Sequence, residues 1–260
     1  MTETKIHPTA IIGEHVEIGP GCEIGPFCVL EDHITIGPHN RFMASVYIGR
    51  YTTIGAHNLF FPFSTIGAIP QDLKFKEEKT SLIIGDHNMI REHVTLHRGT
   101  EHGGGVSRVG NHNLWMVGAH MAHDCTVGDH SILSHGCALA GHVTVGSHAT
   151  VGASSSVHQF CRVGEHGFIG GHSVVTQDAL PFIKTVGNRA KIYGINNIGL
   201  ERKGFSKPEI NRLRAAYRIL FQKKLRLVEA LEQLTREFPD CPHVSYLVSF
   251  IKASERGIVR

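Results

Sequence analysis

An apolar residue recurs at every sixth position through most of this chain. The first run starts at Ile6 and passes through Ile12, Ile18, Ile24, Leu30, Ile36, Phe42, Ile48, Ile54 and Phe60 to Ile66. A second holds Ile84, Ile90 and Leu96. A third runs from Val109 through Trp115, Met121, Val127, Leu133, Leu139, Val145, Val151, Val157, Val163 and Ile169 to Val175, making 26 positions in all. A period of six suits short strands separated by turns, which is the signature of a parallel β-helix. Glycine often follows the apolar residue, as in Ile12-Gly13, Ile18-Gly19 and Ile36-Gly37. A backbone that turns a corner every six residues benefits from so permissive a residue.

At three hexads to a triangular coil, as in the hexapeptide-repeat folds this pattern resembles, the run predicts about nine coils, ~40 Å tall at ~4.8 Å per strand layer. The phase also sorts the cysteines. Cys22, Cys28, Cys125, Cys137 and Cys161 all lie four places after an apolar position, on the same inward face as Val16 and Ile34. They read as small core residues, and the absence of any Cys-x-x-Cys argues against a zinc knuckle or a disulfide framework.

Twenty histidines invite a metal-binding interpretation, and the phase argues against most of it. His15, His33, His39, His57, His87, His93, His112, His130, His142, His148, His166 and His172 all lie three places after an apolar residue. That slot is shared with Gly21, and histidine is enriched at positive φ, so these twelve are predicted to be corner residues facing solvent. His7, His97, His120, His123, His135 and His158 break the phase, and His102 and His243 lie outside the repeat. Function is sought first among the six.

Two interruptions stand out. Between Ile66 and Ile84, Asp72 and Glu78 occupy the apolar slots; between Leu96 and Val109 the phase slips by one residue. Both segments are expected to leave the prism as loops, near 67–83 and 97–108, and loops on a rigid scaffold are good places for binding residues. The repeat ends after Val175. Ser206-Lys207-Pro208-Glu209 then reads as a capping box, opening a helix through Ile210, Leu213, Tyr217 and Leu220. A second helix is expected over Leu227 to Phe238, and a third carries Val244, Leu247, Val248 and Ile251. The expected division is a β-helix over 1–189 and an α-helical region over 190–260. Three amphipathic helices are too few for a large core of their own, so they are expected to pack on the prism or on a neighbouring subunit.

Composition narrows the function classes. An apolar fraction of 41% and a charged fraction of 19% are those of a folded globular chain. No apolar run approaches the ~18 residues of a membrane span, and Met1 to Lys5 lack the pattern of a signal peptide, so the expected location is cytoplasmic. The net charge of +3 is uneven: Lys184 to Arg226 holds twelve basic and two acidic residues, a local +10 that leaves −7 for the rest. An anionic partner and a solvated helical face both fit that stretch. A nucleic-acid role is disfavoured, because the stretch carries no recognition motif and few aromatics.

The densest constellation is Ala119-His120-Met121-Ala122-His123-Asp124-Cys125. A histidine can take a proton from a hydroxyl near neutral pH, and an acidic neighbour can orient its ring. Asp124 adjoins His123, but strand neighbours point to opposite faces, so their pairing needs a corner or a bulge that the alternation does not supply. One coil later is 18 residues on, which places His142 above Asp124 and His158 above Ala140. Three readings stay open: structural histidines, a zinc site with three histidine ligands as in the β-helical carbonic anhydrases, and a general base acting on a substrate hydroxyl. No Gly-x-Ser-x-Gly motif is present, which favours direct transfer over an acyl-enzyme.

Several ordered motifs resemble one family. Ile66-Gly67 is followed by Gln71-Asp72-Leu73-Lys74, then by Leu96-His97-Arg98-Gly99-Thr100 and by Ala119 to Gly128. Leu139-Ala140-Gly141-His142-Val143, Val157-His158-Gln159-Phe160-Cys161 and Arg202-Lys203-Gly204-Phe205-Ser206 complete the set, with Arg256-Gly257-Ile258 near the end. Together they are similar to the UDP-N-acetylglucosamine O-acyltransferase family, which begins lipid A synthesis, over almost the whole chain. The resemblance implies a left-handed parallel β-helix with a small α-helical C-terminal region, a homotrimer, and active sites in the clefts between subunits. It implies transfer of a 3-hydroxyacyl group from acidic acyl carrier protein to the glucosamine 3-position of a UDP sugar, at a 3-hydroxyl or, in some members, a 3-amino group. No resident cofactor or metal is implied, because the carrier protein brings its own phosphopantetheine.

By motif, His123 would be the general base, Asp124 its orienter, and the Gly141 N–H the oxyanion donor. His120, His142 and His158 would line the sugar and thioester. Gln71, Asp72 and Lys74 would serve sugar hydroxyls and phosphate, and His97 and Gln159 would position donor and nucleotide. Arg202 and Lys203 would meet phosphate. Phe168 and Gly171 fall where the family measures its acyl chain. Asn196 begins the nucleotide loop, but Asn196-Asn197-Ile198-Gly199 lacks the glutamate that some relatives carry there. A related N-acyltransferase typically has an extra N-terminal domain, whereas here the repeat begins at Ile6.

Overall fold

The computed structural model describes residues 3–260. Short strands wind into three flat sheets that form the faces of a left-handed parallel β-helix. The first sheet begins with Lys5–Ile6, the second with Ile11–Ile12 and the third with Val16–Ile18. Each strand pairs in parallel with the strand one coil later, so Ile24 sits beside Phe42 and Leu133 beside Val151. Both residues of such a pair are the repeating apolar ones, and they stack inward: Ile48, Phe60, Trp115, Met121 and Leu139 are wholly buried.

The corners follow the sequence phase. Eleven of the twelve corner histidines have φ between 54° and 62°; His15 alone is not in this left-handed region. Seven of them, His39, His57, His87, His112, His130, His148 and His166, stack one above another with ring centroids 4.7–5.0 Å apart. Inside this corner runs a second ladder. The side-chain amide of Asn58 donates to Asn40 Oδ1, and Asn88 repeats the contact on Asn58. Asn113 and Ser131 continue the series through their backbone N–H groups. These bonds satisfy polar groups that the corners would otherwise bury unpaired.

The same ladder measures the interruptions. Asn40 to Asn58 is one coil of 18 residues, Asn58 to Asn88 spans 30, and Asn88 to Asn113 spans 25. The extra residues leave the prism as loops 69–80 and 98–105. Both are shorter than expected, because Ser81–Ile84 and Val106–Val109 are strands of the third sheet and His97 ends a strand of the second. Cys22, Cys28, Cys125, Cys137 and Cys161 are fully buried, and burial pushes the Cys125 and Cys137 thiols up to about 12. Such thiols are inert packing groups.

The prism outlasts the repeat. Ile183–Val186 adds a tenth parallel strand to the first sheet, and Lys191–Ile195 folds back antiparallel to close it. Lys191–Ile195, expected with the helices, thus belongs to the sheet. Four helices follow, one more than expected: α1 (Asn197–Arg202), α2 (Lys207–Phe221), α3 (Leu227–Glu237) and α4 (Pro242–Lys252). α1 is too short to show a period. The Ser206–Glu209 capping box is formed at the start of α2. The helices share one core with Leu180, Phe182, Ile183 and Ile195 of the last coil, so they pack on the end of the prism. No helix among the described residues is long and apolar enough to cross a membrane.

Asp178 bolts the two parts together. Its buried carboxylate accepts both Arg162 Nε and Nη2 at 2.9 and 2.8 Å, the Arg162 N–H at 2.8 Å and the Ser254 hydroxyl at 2.8 Å. Arg162 Nη2 also donates to the Phe250 carbonyl of α4. Removing one partner of a buried ion pair strands the other, so Asp178→Ala is expected to cost about 3–5 kcal/mol. Urea unfolding checks this; a loss below ~1 kcal/mol would show that the pair is not a structural bolt.

Candidate active site

Asp124 lies three places after Met121, in the slot that histidines hold at other corners. Its φ of 60° is the corner conformation, which aspartate tolerates better than most residues. That turn brings the Asp124 side chain back beside His123, and it is the physical reason two sequence neighbours can pair here. The Asp124 side chain is 1% exposed and that of His123 15%.

Four groups converge on the carboxylate. Thr100 donates its N–H to Oδ1 at 2.8 Å and its hydroxyl to Oδ2 at 2.6 Å. His123 Nδ1 lies 2.7 Å from Oδ2, and His142 Nε2 lies 3.6 Å from it. Because the carboxylate accepts, His123 carries its proton on Nδ1, and Nε2 is left with a lone pair. The Asp124 N–H is held in turn by the Ser107 hydroxyl at 2.8 Å. Loop 98–105 thus wraps the orienting group. A methyl on Gly103 would lie 2.1 Å from Asp124 Oδ2, so only glycine lets the loop close.

Gly141 lies directly over the His123 ring. A Cβ there would come within 2.7 Å of Cε1 and 2.9 Å of Nε2. The Gly141 carbonyl accepts from Phe160 N–H, while its own N–H has no acceptor among the described residues. A free backbone donor therefore stands beside the basic nitrogen.

Three further histidines surround the pair. His97 is buried and its Nδ1 donates to the Ile69 carbonyl at 2.7 Å; burial holds its pKa below the usual histidine value. His120 sits 2.7 Å from the Thr95 hydroxyl and edge-on to His97, and burial lowers it likewise. His142 stacks on Phe160 and meets His123 edge-on; burial lowers it and Asp124 opposes the shift. These are neutral imidazoles at pH 7, suited to hydrogen bonding. Asp72 reaches the same corner from loop 69–80. The Lys74 N–H first, then the nearby His102 and His123, hold its carboxyl below the ordinary range against a desolvation that would raise it. Gln71 and Lys74 are exposed on that loop, and His158 and Gln159 are exposed one coil further along the same corner.

The other expected residues lie elsewhere. Phe168, Asn196, Arg202 and Lys203 line a groove of about 520 Å³ on the first sheet, with His148, His166 and Lys184. Burial drives His166 down to about 4, so the groove's cations are its Arg and Lys side chains. Asn196 is committed internally: Nδ2 donates to the His166 carbonyl, and Oδ1 accepts Gly199 N–H at the start of α1. Gly171 is not in this groove. A methyl there would meet only the Ala153 backbone, with O at 3.4 Å and N at 4.0 Å, so the position has room. One chain therefore carries two half-sites, on opposite edges of the third sheet. The donor atoms of His123, Asp124 and His142 lie within 4.8 Å of one another. Where a carbonic-anhydrase-like centre needs three imidazoles, this corner offers two and a carboxylate already accepting from His123 and Thr100. Thr100, His102 and Gly103 were not singled out by the repeat, because the loop that carries them has no period, and Ser107 lies in the strand that follows it.

The fold and this corner define a transferase of the hexapeptide-repeat class, and residues 3–32 match the family model for the bacterial transferase hexapeptide (six repeats). Residues 178–259 match the model for domain 2 of UDP-N-acetylglucosamine O-acyltransferase. The chain is 45% identical over 256 residues to the acyl-(acyl-carrier-protein)--UDP-N-acetylglucosamine O-acyltransferase of Thermodesulfovibrio yellowstonii, covering 98% of this chain and 99% of that one. It is 59% identical over 201 residues to the enzyme of the same name from Psychrobacter cryohalolentis, covering 77% and 78%. The crystal structure of UDP-N-acetylglucosamine O-acyltransferase from Moraxella catarrhalis superposes with a TM-score of 0.96 at 44% identity, covering 98% and 99%. The chain belongs to the UDP-N-acetylglucosamine O-acyltransferase family.

Proposed function

We propose that this chain transfers a 3-hydroxyacyl group from acyl carrier protein to the glucosamine 3-position of UDP-N-acetylglucosamine, the first step of lipid A biosynthesis. The observation that carries the reading is His123, with Nδ1 locked to a buried carboxylate and Nε2 free beside the Gly141 N–H. Nε2 takes the proton of the sugar 3-hydroxyl as its oxygen attacks the thioester carbonyl. The Gly141 N–H donates to the oxyanion that forms. Collapse breaks the carbon–sulfur bond, and the imidazolium gives its proton to the departing thiolate, which leaves as the thiol. Asp124 holds the tautomer and stabilises the imidazolium throughout.

His120, His142 and His158 line the sugar and thioester, and His97 and Gln159 position the donor and nucleotide. Asp72, Gln71 and Lys74 hold sugar hydroxyl and phosphate groups. Arg202 and Lys203 meet phosphate, and the basic stretch around them steers acidic acyl carrier protein. The reaction as written needs no resident cofactor. Two half-sites on separate edges of one prism support a homotrimer, in which the groove of one subunit faces the His123 corner of the next. Acting on a carrier-protein substrate, the enzyme works in the cytoplasm.

The test is an acyl-transfer assay with a ladder of 3-hydroxyacyl carrier proteins, offering UDP-N-acetylglucosamine and its 3-amino analogue side by side. A monoacylated product with the 3-hydroxyl acceptor is expected by mass spectrometry. No product with any pair would overturn the reading.

A further inference from the structure

Loop 69–80 is stitched to residues 97–105 by His97, Arg98 and His102, and His102 stands outside the repeat. His97 holds the Ile69 carbonyl, and the Arg98 guanidinium lies over the Phe75 ring at 5.5 Å. His102 touches the side chain of loop 69–80 that reaches the active-site corner: its Nε2 is 3.2 Å from Asp72 Oδ2 and 3.4 Å from the Thr100 hydroxyl. Proton counting fixes the direction of these contacts. The Thr100 hydroxyl has one proton and gives it to Asp124 Oδ2. It accepts from the Gly103 N–H at 3.1 Å. The Asp72 carboxylate is also an acceptor, so His102 carries its proton on Nε2, the nitrogen that faces both loops.

We propose that His102 is a positioning residue that latches Asp72 over the His123–Asp124 pair and so sets the affinity for the sugar nucleotide. This deepens the function proposed above and rests on it. Thr100 couples the two ends of the latch, because the oxygen that receives His102 is the one whose proton holds Asp124. His102 is close to half exposed and supports no core, so its replacement leaves the fold intact. The latch does nothing to the proton on His123, so its loss falls on binding rather than on the chemical step.

The experiment compares wild type, His102→Ala and His102→Gln, each also in an Asp72→Ala background. His102→Ala is expected to raise KM for UDP-N-acetylglucosamine roughly five- to tenfold with kcat within about twofold, as for the loss of one polar contact of ordinary strength. His102→Gln, which keeps a donor N–H of similar reach, is expected to stay within about twofold of wild type. In the Asp72→Ala background His102→Ala should add nothing further. Amide exchange over residues 69–80 supplies a readout independent of turnover: it should quicken in His102→Ala and recover in His102→Gln. An unchanged KM, a full effect without Asp72, or unaltered exchange in loop 69–80 would each overturn the latch. A wild-type enzyme that does not turn over this acceptor would remove the proposed function instead, and the exchange data would still decide whether the latch exists.

Discussion

His123→Ala is expected to fold, to assemble as the wild type does, and to lose about 10²- to 10⁴-fold in kcat/KM, the usual contribution of a general base. The ring is at the surface of the prism, above the coil rather than inside it, and the core beneath is closed by Met121, Cys125 and Leu139. Its loss therefore removes a proton acceptor without opening a cavity in the core. Steady-state kinetics with circular dichroism and a mass measurement check both halves of the expectation. Wild-type-like turnover in a folded variant would sink the general-base assignment and return the corner to a structural role.

Asp124→Asn is expected to lose activity on the same scale while changing almost no volume. One oxygen of Asp124 accepts the Thr100 N–H, and the other accepts both the Thr100 hydroxyl and His123 Nδ1. An asparagine has one acceptor where two are needed. If its amide nitrogen faces the Thr100 N–H, two donors collide, and a backbone N–H cannot change its nature. The nitrogen must then face the hydroxyl, which can rotate, and His123 Nδ1, which can give up its proton. That second arrangement moves the imidazole proton to Nε2 and blocks the base. Nitrogen NMR of the His123 ring reads the tautomer directly. Retention of the Nδ1–H form with normal turnover would show that Asp124 is not the orienter.

The prism was legible because its restraint is periodic. A side chain that must face inward every sixth residue leaves a mark that chance does not erase, and the five core cysteines followed from it without further assumption. So did the placement of His142 over Asp124, one coil on. The pairing of His123 with Asp124 was harder, because strand alternation forbids it. The signal was present all the same: Asp124 occupies the corner slot, and a left-handed corner turns neighbouring side chains together. Thr100 and His102 left no such mark. They sit in a loop that slips the phase, and their positions are set by contacts with Asp124 and Asp72, 24 and 30 places away, rather than by spacing. Lys191–Ile195 escaped for a related reason, since an antiparallel strand closing a parallel sheet has no reason to keep the hexad.

Gly103 and Gly141 have no side chain to offer, yet both border the reacting corner at distances that leave no space for a carbon atom. Their contribution is emptiness of a fixed shape. A survey that shortens side chains one by one cannot register them, because there is nothing to shorten, and it would draw the site as His123 and its polar neighbours alone. A survey that adds a methyl group would find two of the least tolerant positions where no side chain acts. An engineer who recuts this corner for another acceptor inherits that constraint: the room for a new substrate must be found outside Gly103 and Gly141, since the room they leave is already filled by Asp124 and His123.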